Sequence, residues 1–126
     1  RGFRALPSFE DAWRSGLAYM ACGRVEDAGG AFLECTKRRP RDWRAWTELG
    51  NALTGLSEFA RADSALRVAI DLNPGAAAPR IHLARGRARD GRAGDARIML
   101  ETARPRLDRS SALSTDFDKL DANLPK

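Results

Sequence analysis

Residues 46–74 read WTELGNALTGLSEFARADSALRVAIDLNP, and the stretch decides the fold because it recurs on both sides of itself at a fixed spacing. Pro40 and Pro74 close similar segments 34 residues apart, the period of a repeat built from two helices and a turn. Moving Trp46, Leu49, Gly50, Leu53, Ala62, Leu66 and Ala69 back by that period gives Ala12, Ser15, Gly16, Tyr19, Ala28, Phe32 and Cys35. Moving them forward gives Arg80, Leu83, Ala84, Arg87, Ala96, Leu100 and Ala103. Three positions are small in every copy: Gly16, Gly50 and Ala84; Ala28, Ala62 and Ala96; Cys35, Ala69 and Ala103. Where two short helices cross closely, one face must carry small side chains while larger neighbours fill the grooves.

Working outward, the periodicity predicts helix pairs at about 9–21 and 25–38, 43–55 and 58–72, and 78–89 and 93–106. Ser8 is placed to accept from free amides of the first turn, with Asp11 at the capping-box position, and Ser57 is expected to cap the fourth helix. Pro79 suits a first helical turn, and Pro105 should kink the sixth helix or finish it early. After Ser110-Ser111, Leu113, Phe117, Leu120 and Leu124 recur at helical spacing. They predict a seventh helix over about 112–123 that covers the open end of the array and has no part in binding.

These offsets resemble the tetratricopeptide repeat, whose pattern runs Trp, Leu-Gly, an aromatic, Ala, a large apolar residue and Pro. The middle copy follows it with Trp46, Leu49-Gly50, Ala62 and Pro74, but Leu53 and Leu66 replace aromatics. The first keeps Gly16, Tyr19, Ala28, Phe32 and Pro40, with Trp13 one place after the expected Trp. The third has Arg80 and Arg87 at usually aromatic positions and no closing Pro at Asp108. The resemblance implies an all-α, right-handed α-solenoid forming one domain over residues 1–126, with repeats at about 9–42, 43–76 and 77–110 and a C-terminal capping helix.

It also implies that the first helix of each pair lines a concave groove. Carried over residue by residue, the groove is Trp13, Leu17 and Met20, then Arg44, Thr47, Asn51 and Thr54, then Ile81, His82, Arg85 and Arg89. One end is apolar, the middle polar and the far end basic. Such a groove suits an extended peptide with an apolar anchor and an acidic residue or carboxyl group further along. Each residue has a structural alternative: Trp13 in the place of the missing Trp, Leu17 and Met20 packed on the N-terminal Phe3 and Leu6, Arg85 and Arg89 as a solvated face, His82 as a satisfied histidine. Some members of the family clamp the acidic tails of heat-shock chaperones with Lys and Asn. Trp13, Leu17, Glu48, Ala78 and His82 occupy those positions here, so the clamp is not expected. The order GLAYMACGRVEDA, a middle repeat, then IHLARGRARDGRAGDA is similar to the chaperones of type III secretion translocators, although the basic charge departs from them.

The remaining composition narrows the function. At 126 residues and 43% hydrophobic, the chain holds one modest domain, and no apolar run reaches the roughly 18 residues needed to span a bilayer. The net charge is +5, and the third repeat alone carries nine arginines against four acidic residues. Cys22, beside a turn, and Cys35, about ten residues into the returning helix, lie too far apart for a disulfide's Cα separation of about 7 Å. Neither has metal-ligand spacing, Gly29-Gly30 lacks the Lys-Ser or Lys-Thr of a phosphate loop, and His82 is the one histidine. No metal or other cofactor, and no catalysis, is expected. The reading is a non-enzymatic protein-interaction module of scaffold or co-chaperone type. A type III secretion class chaperone, a regulatory segment of a larger enzyme, and nucleic-acid binding through the third repeat are the alternatives. The chain begins at Arg1 rather than Met, which suggests a processed or excised chain, and a cytoplasmic location is expected.

Overall fold

The computed structural model describes residues 8–108 and 110–125. Among them are α1 (Phe9–Ala21), α2 (Val25–Arg38), α3 (Trp43–Gly55), α4 (Phe59–Leu72), α5 (Ala78–Arg89), α6 (Ala93–Ala103) and α7 (Ala112–Asn123). The helices form antiparallel pairs α1/α2, α3/α4 and α5/α6. Successive pairs stack, so that α3 packs on α2, and α5 packs on both α4 and α3. This is an all-α solenoid.

Close approach within each pair depends on the small positions. A Cβ added at Gly50 would lie 2.4 Å from Leu66 Cγ, and one at Gly16 would lie 2.5 Å from the Phe32 ring. Phe32, Leu66 and Leu100 are fully buried at the same repeat position. The glycines therefore admit a large partner where an alanine Cβ would collide with it. In the third pair Ala84 replaces glycine, and it too is fully buried.

The local signals account for most helix ends. Ser8 Oγ accepts from the Asp11 amide at 3.1 Å. Asp42, which the sequence reading did not single out, caps α3 by accepting from the Arg44 amide at 3.0 Å. Ser57 does not cap α4, contrary to expectation: it has φ 61°, and Glu58 is the residue that precedes the helix. Its equivalents one period away on either side are Gly23 (φ 78°) and Gly91 (φ 81°). The turn needs a left-handed residue there, and a left-handed backbone takes Ser57 out of capping geometry. Pro105 acts as foreseen, since α6 stops at Ala103 and a tighter 3-10 turn covers Arg104–Arg106.

α7 packs against α5 and α6. It begins 34 residues after α5, since 112 − 78 = 34, so it stands where the first helix of a fourth repeat would stand. Phe117 and Leu124 close a cluster with Ala77, Ile81, Ala84, Ala96, Leu100 and Ala103. A second cluster runs through α1 to α4 around Phe32, Leu49 and Leu53. Cys22 is exposed and Cys35 buried, both as free thiols, and burial raises the Cys35 pKa. No helix among the described residues is long and apolar enough to cross a membrane. The expected packing of Phe3 and Leu6 lies outside the described residues.

Candidate functional site

α1, α3 and α5 are the first helices of their pairs, and the 34-residue period aligns their residues. Leu17, Asn51 and Arg85 hold equivalent positions. Leu17 is exposed at 44% of its surface, whereas Asn51 and Arg85 are half-buried. Arg85 Nη1 donates to Asn51 Oδ1 at 3.2 Å, so neighbouring repeats are joined. The same nitrogen lies 3.0 Å from His82 Nδ1. Arginine has only donors, so His82 accepts and keeps its proton on the other ring nitrogen. Burial, reinforced by the Arg85 charge, pushes the His82 pKa down to about 4, which keeps the ring neutral near pH 7. On the other side of Asn51, burial raises the Glu48 carboxyl pKa while a hydrogen bond from Asn51 opposes the shift. Glu48, Asn51, Arg85 and His82 thus form a polar chain between α3 and α5.

Several residues expected in the groove are instead buried or held by local partners. Thr47 and Thr54 are buried and donate to their own helix, to the Trp43 carbonyl at 2.8 Å and the Gly50 carbonyl at 3.0 Å. Ile81 is fully buried in the cluster under α7. At about 100° per residue these positions lie on the order of 40–60° to one side of the Asn51 and Arg85 lines, toward the next first helix. Accordingly, a Cβ on Gly86 of α5 would come within 3.3 Å of Thr54 Oγ1. Trp13 is half-buried, stacked on Phe9 with centroids 5.9 Å apart and edge-on to Phe32 at 5.6 Å. Met20 is likewise half-buried against the first cluster. Arg44 is exposed and paired with Asp42 at 3.3 Å, and Arg89 is exposed.

Sequence reasoning placed Glu48 at a clamp position but left it out of the candidate groove set, although it stands one turn before Asn51 on the same face. It also gave no role to the outer side of α5. Trp46 Nε1 donates to the Pro40 carbonyl at 2.8 Å, and one period later Arg80 Nη2 donates to the Pro74 carbonyl at 3.3 Å. Arg80 thus takes over the indole's hydrogen bond. No group of three or more potential metal ligands comes together among the described residues.

No protein-family model and no curated protein matches the sequence. Solved structures do match. The TPR2B-domain:pHsp70 complex of yeast Sti1 superposes with a TM-score of 0.80 at 25% identity, over 89% of this chain and 91% of that one. The Yersinia enterocolitica type III secretion translocator chaperone SycD gives 0.81 at 19% identity, over 90% and 88%. This chain has a tetratricopeptide-repeat fold. SycD in complex with a peptide of the translocator YopD gives 0.74 at 16% identity, over 90% and 92%. The likeness thus covers about nine-tenths of this chain. At these identities the match to SycD is one of fold.

Proposed function

We propose that this chain is a non-enzymatic binding module that holds an extended peptide or partner segment along its inner wall. The observation that carries the reading is the aligned set Leu17, Asn51 and Arg85, one from each repeat, with Arg85 oriented by Asn51 and His82. An arginine fixed in this way loses less freedom when it binds a carboxylate. Leu17 offers an exposed apolar contact at one end, and Arg89 a second cation at the other. The ligand that fits has an apolar anchor and, further along, an acidic side chain or terminal carboxyl group. The Sti1 and SycD structures, solved with pHsp70 and with a YopD peptide, support a peptide or protein partner. A scaffold or co-chaperone role follows from a surface that binds without reacting.

A peptide array probed with the intact chain tests this reading. Peptides pairing an apolar residue with a downstream acid should be retained. Arg85→Gln should weaken them by about tenfold, the usual scale for one charge-assisted pair, and Asn51→Ala should weaken them less. Equal affinity in both variants, with the fold intact by circular dichroism, contradicts the inner-wall assignment.

A further inference from the structure

The arginines of α5 lie on two opposite sides of the helix. At about 100° per residue, Arg80 and Arg87 stand roughly half a turn away from Arg85 and Arg89. With Leu83 between them, Arg80 and Arg87 form the floor of an outer pocket of about 290 Å³, walled by Arg67 and Ile70 of α4 and Met99 of α6, with Asp71 beside them. Arg67 and Arg87 share one carboxylate, Asp63, at 3.2 Å and 3.1 Å. Among the described residues, Arg80 reaches only uncharged oxygens, Thr102 Oγ1 at 3.2 Å and the Pro74 carbonyl at 3.3 Å. Arg106 takes the same Pro74 carbonyl at 2.6 Å. The Nε–H groups of both Arg80 and Arg87 are buried without an acceptor among the described residues. Burial, and then the nearby Arg106 charge, lower the Arg80 pKa.

Arg80 lies in a groove with two further arginines and makes its own hydrogen bonds to uncharged oxygens, so an oxyanion arriving in the groove would supply a charge-assisted partner. We propose that this outer groove is a second binding site, which takes an aspartate or glutamate side chain of an acidic partner segment. An adjacent apolar residue of that segment rests on Ile70, Leu83 and Met99. A peptide fits this geometry better than a nucleic acid. The cations lie on a floor between two helices, whereas a nucleic-acid backbone engages cations along an open path. The groove also has no aromatic platform for bases, since Arg80 stands where the preceding repeat has Trp46. The site is separate from the inner wall and does not depend on its assignment.

The test is a titration of the intact chain, with methyl groups of Ile70, Leu83 and Met99 observed by NMR, using a soluble peptide of alternating glutamate and leucine. The variant Arg80→Trp/Arg87→Leu copies the floor of the preceding repeat, Trp46 and Leu53, and so retains a packing the fold already uses. Arg80→Gln is the milder second variant, which removes the charge and keeps a donor for the Pro74 carbonyl. Saturable shifts at the three residues are expected. Binding read at these three residues should weaken by about tenfold or more in the double variant and severalfold in Arg80→Gln. The proposal is overturned if no saturable shift appears at these residues, or if the folded variants bind as the parent does. Inorganic phosphate or a single-stranded oligonucleotide filling the pocket more tightly than the peptide also overturns it.

Discussion

Two outer grooves of the molecule share one backbone plan and have opposite chemistry. The groove between α2 and α4 has Trp46, Leu49 and Leu53 on its floor, with Leu33, Ala65 and Val68 on its walls. The groove between α4 and α6 has Arg80, Leu83 and Arg87 at the same three floor positions. What these positions must supply is modest: a donor for the preceding proline carbonyl, an apolar centre at Leu49 or Leu83, and enough side-chain stem to cover the helix crossing. Tryptophan and arginine both meet the first need, and the long arginine stems meet the third. The helix pairing lies elsewhere, in Gly50 against Leu66 and its counterparts, so the floor is free to change charge without changing the fold.

Transplanting one floor onto the other should show how each is balanced. Leu53→Arg introduces the residue found at Arg87, but Gly29 stands one period before Asp63, so the carboxylate that pairs Arg87 has no counterpart, and the acids bordering this groove are Glu26 and Glu58 instead. Leu53 is only 4% exposed, and an uncompensated buried charge costs about 3–5 kcal/mol. Urea unfolding should report a loss of up to that size, less whatever Glu26 and Glu58 recover. Gly29→Asp should restore part of it, because a Cβ there meets nothing nearer than 3.9 Å. The converse change, Asp63→Ala, strands Arg87. Asp63 is 26% exposed and Arg87 12%, so solvent softens the loss to about 2 kcal/mol. Adding Arg87→Leu should recover most of it, and failure to recover would show that the pair is not the reason for the charge.

The inner wall extends the contrast, because titrating groups sit beside Asn51 and Arg85 whereas their counterpart in the first repeat is Leu17. Unfolded His82 takes up a proton near pH 6.5, but in the fold it does so only near pH 4. The unfolded chain therefore binds more protons in this window, and stability should fall as pH drops from about 6.5 to 4, by up to about 3 kcal/mol. Glu48 works in the opposite sense: its raised pKa favours folding where the carboxyl is protonated, and that contribution is lost as pH rises through its folded value. His82→Gln should flatten the acid limb of thermal melts taken across this range. The smallest effect is expected at the turn where the second repeat differs from its neighbours. Ser57→Gly should stabilise by about 1 kcal/mol, since the native φ of 61° strains any residue with a Cβ.

The fold was legible because it rests on local, periodic requirements. Gly16, Gly50 and Ala84 recur because helix crossings recur, and Pro40 with Pro74, and Gly23 with Gly91, each mark the same end in two of the three copies. The start of α7 follows the same period, and reading Ala112 against Ala78 would have placed it as the first helix of a fourth repeat. The inner wall was legible only in part. Carrying over family positions supplied Leu17, Asn51, His82 and Arg85 to the proposed wall, but it also brought in Thr47, Thr54 and Ile81, which are buried because their direction depends on where the next first helix lies. Ile81 is hidden because α7 covers it, a contact between distant parts of the chain. The role of Ser57 was misjudged for a related reason: serine suits a cap by composition, but the turn required a left-handed residue there. The unmet Nε–H groups of Arg80 and Arg87 leave no mark in a sequence, since they depend on which carboxylates reach the groove.

Backbone and methyl chemical-shift mapping of the intact chain with the tightest array peptide puts the inner-wall reading at risk in one measurement. The expected result is a contiguous set of saturable shifts at Leu17, Asn51, His82 and Arg85, lost together in Arg85→Gln, whatever occurs on the outer face. A saturating peptide that leaves Leu17, Asn51 and Arg85 unmoved would contradict it.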